Sequence, residues 1–169
     1  MKKFPAILAV AILCLSGACR ERSRTKNPMD TSAEQEQAIR VLREAYAAFN
    51  RGDIAAALEP LDPQIEWTEP TEFPGGGTYH GHAGVTTYLT QSRAGWAECS
   101  SEPERFIPAG NRMVVFVHAR VRPKGSSQWQ EVRLADVYTF RNGKAVSMQA
   151  FADRQAALRW VLGASVRAG

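Results

Sequence analysis

The sequence predicts an α+β domain whose helices pack on one side of a curved antiparallel sheet. Three observations carry this. Apolar residues at Ile39, Leu42, Tyr46 and Phe49 are spaced three, four and three apart, one stripe of a period-3.6 helix. Later segments are rich in Val, Phe and Tyr and are separated by short turns, as in a strand meander. Helices come first and strands after, without regular alternation, which separates α+β from a parallel α/β sheet.

Taken in order, residues 33–51 form the first helix, and Gly52 fits its left-handed C-cap. Asp53 can accept a hydrogen bond as N-cap of a second short helix, residues 53–61. Asp62-Pro63 breaks helix, and Ile65-Glu66-Trp67-Thr68 alternates as a strand. Residues 70–84 read as a long loop rich in proline and glycine, which rarely lacks a purpose in a compact domain. Val85, Tyr88, Leu89 and Trp96 suit a third helix over residues 83–97. Four strands follow, at 104–108, 113–121, 129–140 and 145–152. The last turn, Asn142-Gly143-Lys144, is a strong hairpin signal. A helix over 153–162, with Asp153 as N-cap, closes the domain.

Ahead of this domain lies a different kind of sequence. Met1-Lys2-Lys3 is basic, residues 4–15 are apolar, and Ser16-Gly17-Ala18-Cys19 are small, as in an export signal. The apolar run is too short to span as a mature membrane helix. Leu15-Ser16-Gly17-Ala18-Cys19 resembles a bacterial lipobox with Ser16 where Leu is usual; the resemblance implies that Cys19 becomes the lipidated first residue. Plain secretory cleavage near Ala18 is the alternative. Residues 1–18 are thus expected to be a signal peptide, 19–32 a disordered tether, 33–163 the domain and 164–169 a tail. The protein would then be exported and held in the cell envelope by its N-terminal lipid, facing the periplasm or outside.

Charge supports this division. The whole chain carries +4, but residues 20–26 alone hold four basic residues and one acid. From residue 27 onward there are 15 basic and 16 acidic residues, a net −1. The basic balance therefore belongs to leader and tether, and nucleic-acid binding, which needs a basic face on the domain, is excluded. Cys14 would leave with the signal, so Cys99 is the only thiol in the domain and no disulfide framework can form. With no base argued beside it, an inert thiol is expected.

Several stretches together resemble the SnoaL-like branch of the nuclear transport factor 2-like superfamily. They are Ala45-Tyr46-Ala47-Ala48-Phe49-Asn50-Arg51-Gly52-Asp53, Glu66-Trp67-Thr68-Glu69-Pro70 and Gly75-Gly76-Gly77-Thr78-Tyr79-His80-Gly81. Tyr138-Thr139-Phe140-Arg141-Asn142-Gly143-Lys144 and Phe151-Ala152-Asp153-Arg154 complete the set. The resemblance implies a cone, a curved sheet wrapped around helices with an apolar pocket open at one end. It spans isomerases, cyclases, hydrolases and pure binding modules, so site residues must be argued one by one.

Ketosteroid isomerases within that superfamily use a carboxylate base and two donors to a developing oxyanion, a tyrosine and a protonated aspartic acid. Tyr46 stands seven residues before Asp53, as their tyrosine does before the equivalent Asp. Glu69 precedes Pro70, the place of the base, with a side chain one methylene longer than aspartate. Asp136, eight residues before Lys144, fits the second donor. The chemistry is coherent: a base must ionise beside apolar substrate, and donors work best preorganised in a dry site. Alternation puts Asp136 on the face of Leu134 and Tyr138, so a buried Asp136 needs a polar partner, for which Tyr46 is the candidate. The bland alternative makes Tyr46 and Asp136 a structural bond between helix and sheet, and Glu69 a solvated strand end.

Trp67, Trp96 and Phe151 are expected as aromatic walls of the pocket, and His118 as a polar contact within it. A satisfied or exposed histidine is the alternative for the last. Arg120, Arg122 and Arg133 are assigned to the outer face. His80-x-His82 lacks a convincing third ligand, so no metal is expected, and no cofactor is implied. Two functions remain open. One is general acid–base chemistry on a small hydrophobic or carbonyl-bearing molecule. The other is a non-catalytic envelope lipoprotein that binds a small ligand or docks a protein, with pairing of two copies through the open sheet face compatible with either.

Overall fold

A computed structural model of the chain describes residues 31–166, with side chains through residue 163. The leader, Cys19 and the tether as far as residue 30 lie outside the described residues. Helix α1 (Ser32–Asn50) starts at a capping box: the Thr31 hydroxyl accepts from the Glu34 amide while the Glu34 carboxylate accepts from the Thr31 amide. Its C-terminal end turns at Gly52, φ +83°, where glycine avoids the Cβ penalty of the left-handed region. Asp53 then caps α2 (Ile54–Leu58) by accepting from the Ala56 amide at 3.1 Å, as its position in the sequence predicts. The α1 stripe buries Leu42 and Tyr46 and half-buries Ile39 and Phe49.

Six strands follow: β1 (Leu61–Glu69), β2 (Gly77–His80), β3 (Trp96–Ala109), β4 (Arg112–Pro123), β5 (Gln130–Arg141) and β6 (Lys144–Phe151). Helix α3 (Gly81–Ala94) lies between β2 and β3, and α4 (Arg154–Val166) follows β6. The strands form one open curved sheet in the order β2-β1-β6-β5-β4-β3. Four of its pairings are antiparallel, but β1 and β6 run parallel. From β3 the chain meanders back across the sheet, and β6 arrives between β5 and β1. The Ala145 amide bonds the Pro60 carbonyl at 2.9 Å, and the Lys144 ammonium bonds the Glu59 carbonyl at 2.5 Å. These contacts fix the start of β6 beside the start of β1.

The α+β architecture is the one the sequence predicts, with local differences. Residues 70–84 are not one loop: β2 is cut from them by pairing with β1, and α3 begins at Gly81. Leu61 opens β1 instead of ending α2, and Trp96 opens β3 instead of ending α3. Helix α4 continues through Val166, past the expected domain end.

Two apolar layers sit on opposite faces of the sheet. One joins α1 and α3 to Ile65, Trp67, Val115, Val117, Tyr138 and neighbours. The other packs Ala157 and Val161 of α4 onto Val114, Ala135 and Val137. Arg154 anchors α4 by donating to the carbonyls of Leu134 at 3.1 Å and Val117 at 2.7 Å. Strands β4 and β5 are thus covered on both faces, which explains the unbroken apolar run from Met113 to Val117. No helix among the described residues is long and apolar enough to cross a membrane.

Candidate functional site

Between the inner sheet face and helices α1 and α3 lies a cavity of about 630 Å³. That size suits a small organic ligand. Tyr46, Glu69 and Asp136 all line it, brought together from α1, the end of β1 and the middle of β5. Parity does this for β5: Leu134, Asp136 and Tyr138 alternate onto the inner face, and all three line the cavity. Glu69 and Asp136 are the buried acids among the described residues, at 9% and 8% exposure.

The polar groups form two connected sets. Tyr46 donates its hydroxyl to Asp136 Oδ2 at 2.5 Å, and Tyr138 donates to the Tyr46 oxygen at 3.2 Å. The partner expected for Tyr46 is therefore the one it has. Trp67 donates its indole N–H to Glu69 Oε1 at 2.8 Å, and the Tyr88 hydroxyl also bonds this carboxyl from α3. Rings enclose them. Trp67 meets Tyr138 edge-on with centroids 6.3 Å apart, and Tyr88 packs on Tyr79 at 4.8 Å.

Burial sets the ionisation of both acids. Glu69 is pushed up to about 7, first by desolvation and then by the charge of Asp136, with the Trp67 and Tyr88 bonds opposing. Asp136 is pushed up to about 6 by desolvation, with the Tyr46 bond opposing. Asp136 ionises ahead of Glu69, whose ionisation is then opposed by the charge on Asp136. Desolvation first, and then the charge of Asp136, hold the Tyr46 phenol far above its usual range, so it remains a neutral hydroxyl.

The other sequence-predicted residues divide. Trp67 and Trp96 line the cavity. His118 and Phe151 do not, and their expected places are corrected. His118 shares the outer sheet face with Phe116 and Arg120, where its Nε2 lies 3.0 Å from Glu131 Oε2. Val117, next to it, is the residue that points inward. Phe151 pairs across from Ala135 and packs on Trp160 of α4 at 5.7 Å, in the outer layer. Of the capping and thiol residues, Asp153 accepts from the amides of Gln155 and Ala156. Cys99 lines the cavity, its thiol raised by burial. His82 engages the Leu61 carbonyl at 3.1 Å; no group of three or more metal-ligating side chains stands together among the described residues.

Sequence reasoning missed Tyr88 and Tyr138 as members of the site, and Phe73 and Pro74 of the β1–β2 connection as part of its lining. Tyr138 carried a usable signal, two residues from Asp136 on the same strand face. Tyr88 carried only helical spacing with Val85.

A curved sheet and helices around an aromatic cavity with acids at its floor define a class, the nuclear transport factor 2-like pocket domains. Within it the chain belongs to the SnoaL-like domain family, whose model matches residues 42–148. It is similar to an NTF2-like protein of unknown function from Burkholderia pseudomallei. The two are 30% identical, 74% of this chain and 97% of that one are covered, and the TM-score is 0.63. It is similar also to TerC, co-crystallised with polyporic acid, at 28% identity, 74% and 98% coverage and TM-score 0.63. A hypothetical protein with a ketosteroid isomerase-like fold from Catenulispora acidiphila, in complex with trimethylamine, shares the fold at 14% identity. There 68% of this chain and 83% of that one are covered, with TM-score 0.59. No curated protein matches significantly.

Proposed function

We propose that this domain binds a small hydrophobic or carbonyl-bearing molecule and moves a proton on it, chemistry of isomerase or cyclase type. The observation that carries this is the convergence of Glu69, Asp136 and Tyr46 on one otherwise apolar cavity. A carboxyl with a pKa of about 7 can both take and return a proton near neutrality, which suits Glu69 as acid and base. In that role Glu69 accepts a proton from the carbon beside a carbonyl, and the electron pair moves onto the carbonyl oxygen. Return of the same proton at another carbon leaves an isomer and the starting enzyme. The oxygen's developing charge is met by the Tyr46 hydroxyl, which stays neutral and protonated wherever Glu69 is ionised. Binding of polyporic acid by TerC, at 28% identity, supports a small organic ligand.

A second reading, binding without turnover, is favoured by one observation: Tyr46, Asp136 and Glu69 already have hydrogen-bond partners within the protein. Exchange of carbon-bound protons of cyclic ketones in heavy water, followed by NMR, decides between them. The expected result is exchange by the native protein that falls about 100-fold or more in Glu69→Gln. Exchange insensitive to this change removes Glu69 from the role, and ketone binding without exchange establishes the carrier.

The leader extends the proposal to location, a lipoprotein held in the cell envelope through Cys19. Metabolic labelling with a fatty acid checks it: label is expected on the native chain and absent from Cys19→Ala. An unlabelled native chain overturns the anchor.

A further inference from the structure

We infer that the cavity selects an apolar amine, bound as its ammonium ion with the charge at the Asp136–Glu69 floor and the carbon skeleton against the aromatic walls. This names the ligand class of the site proposed above and rests on the reading that the cavity is a ligand site.

Charge is the first argument. Among the described residues lining the cavity there are three carboxyls, of Glu69, Glu131 and Asp136, and no Lys, Arg or His. Glu131 is already neutralised by Arg120 at 3.0 Å and lies beside His118. Among the described residues Glu69 and Asp136 form no ion pair with a cation. Arg93 and Arg120 have partners elsewhere: Arg93 donates to the Phe49 carbonyl at 2.6 Å and lies over the Phe49 ring, and Arg120 lies over Trp129. The floor is therefore an acid pair with no counter-charge among the described residues; burial raises both pKa values, and the charge of Asp136 raises that of Glu69 further.

Free acceptor capacity is the second. Tyr46 engages only Oδ2 of Asp136; Oδ1 receives no hydrogen bond from the described residues, although Asp136 is 8% exposed and lines the cavity. An ammonium supplies the missing donor and charge together. The ring faces are the third argument. Trp67, Tyr79, Tyr88 and Tyr138 crowd the floor, and the negative face of an aromatic ring attracts a cation most strongly where water is excluded. A carboxylate ligand would meet like charge on the same surface, and a neutral one would leave the acids unpaired.

Calorimetric titration of the purified protein near pH 7.5 with three probes of one skeleton tests this: 2-naphthylmethylamine, 2-naphthylmethanol and 2-naphthoate. The amine is expected to bind roughly tenfold or more tighter than the alcohol, and the carboxylate roughly tenfold weaker than the alcohol or not at all. In Asp136→Asn the amine is expected to fall to the level of the alcohol, whose affinity stays. If that variant fails to fold, the ranking of the three probes on the native protein still decides. Equal binding of amine and alcohol, or tighter binding of the carboxylate, overturns the inference while leaving a small-molecule pocket intact. Failure of all three to bind overturns both. An amine preference without ketone proton exchange keeps this inference and removes the catalytic reading.

Discussion

The Tyr46 hydroxyl, 2.5 Å from Asp136 Oδ2, is a hydrogen bond from a neutral donor to an acid almost out of reach of water. Its worth depends on the protonation of the acid it serves. Tyr46→Phe is expected to cost about 1–3 kcal/mol by chemical denaturation at pH 8, because an ionised buried carboxylate loses its donor. At pH 4.5, where Asp136 is protonated, the cost is expected to be smaller. The two acids also contribute to the pH profile of the native chain. Both sit above their ordinary values, so between about pH 4 and pH 7 the folded chain holds more protons than the unfolded one. Stability is therefore greatest below the unfolded values, falls as pH rises through this window, and levels off above it. The Glu69 share, from 4.5 to about 7, is on the order of 3 kcal/mol. Glu69→Gln is expected to flatten the upper part of the profile, measured as urea unfolding between pH 4 and pH 8; an unchanged slope would remove Glu69 as its source. At this scale the sequence was legible in Tyr46, Glu69 and Asp136 through the resemblance to ketosteroid isomerases, whose site positions fall there relative to Asp53, Pro70 and Lys144. It was not legible for His118. Strand β4 is apolar on both faces, Val114 and Phe116 outward and Val115 and Val117 inward, so hydrophobicity could not tell which parity faces the cavity.

The connection between β1 and β2 is the element where local conformation and function meet. Turns at Phe73 to Pro70 and at Gly76 to Phe73 fold it over the cavity, where Phe73, Pro74 and Gly75 join the lining. Tyr79 ties it down by donating to the Gly75 carbonyl at 2.5 Å. A Cβ on Gly76 would overlap the Pro70 carbonyl, a backbone atom that cannot swing aside. Gly76→Ala is expected to lower stability by about 1–3 kcal/mol and to weaken ligand binding more than changes in the distant β3–β4 hairpin, read by thermal unfolding and titration. Sequence pattern marked this region as a purposeful loop but hid β2 inside it. Gly77-Thr78-Tyr79-His80 is too short to display alternation, and its pairing with Glu66 to Glu69 is a tertiary event. The start of β3 was hidden for a similar reason. Ala97-Glu98-Cys99-Ser100-Ser101-Glu102-Pro103 has no β-branched residue, and only the ladder with β4 makes it a strand.

Seen whole, the molecule has an apolar layer on each face of one sheet, and the cavity opens into only one of them. Val161 lies in the outer layer under α4, away from the cavity. Val161→Ala is expected to cost about 2 kcal/mol in denaturation while leaving probe affinity unchanged, since the strands between are held by their ladders. A parallel loss of affinity would show that the layers are coupled. The α+β class was legible because periodicity changes once along the chain, from helical to alternating. The parallel pair was not, because nothing in β1 or β6 alone says that they meet. That pair has a consequence for how the protein comes into being. Strand β6 inserts between β5, to which a tight hairpin joins it, and β1, made far earlier, and its residues separate the strands that carry Glu69 and Asp136. Until the chain has been made past residue 151, the strand that lies between β1 and β5 is incomplete. Joining the two halves of the sheet therefore needs the pairing of β6 with a strand far away in sequence, and such non-local closure belongs to the slower class of folding reactions.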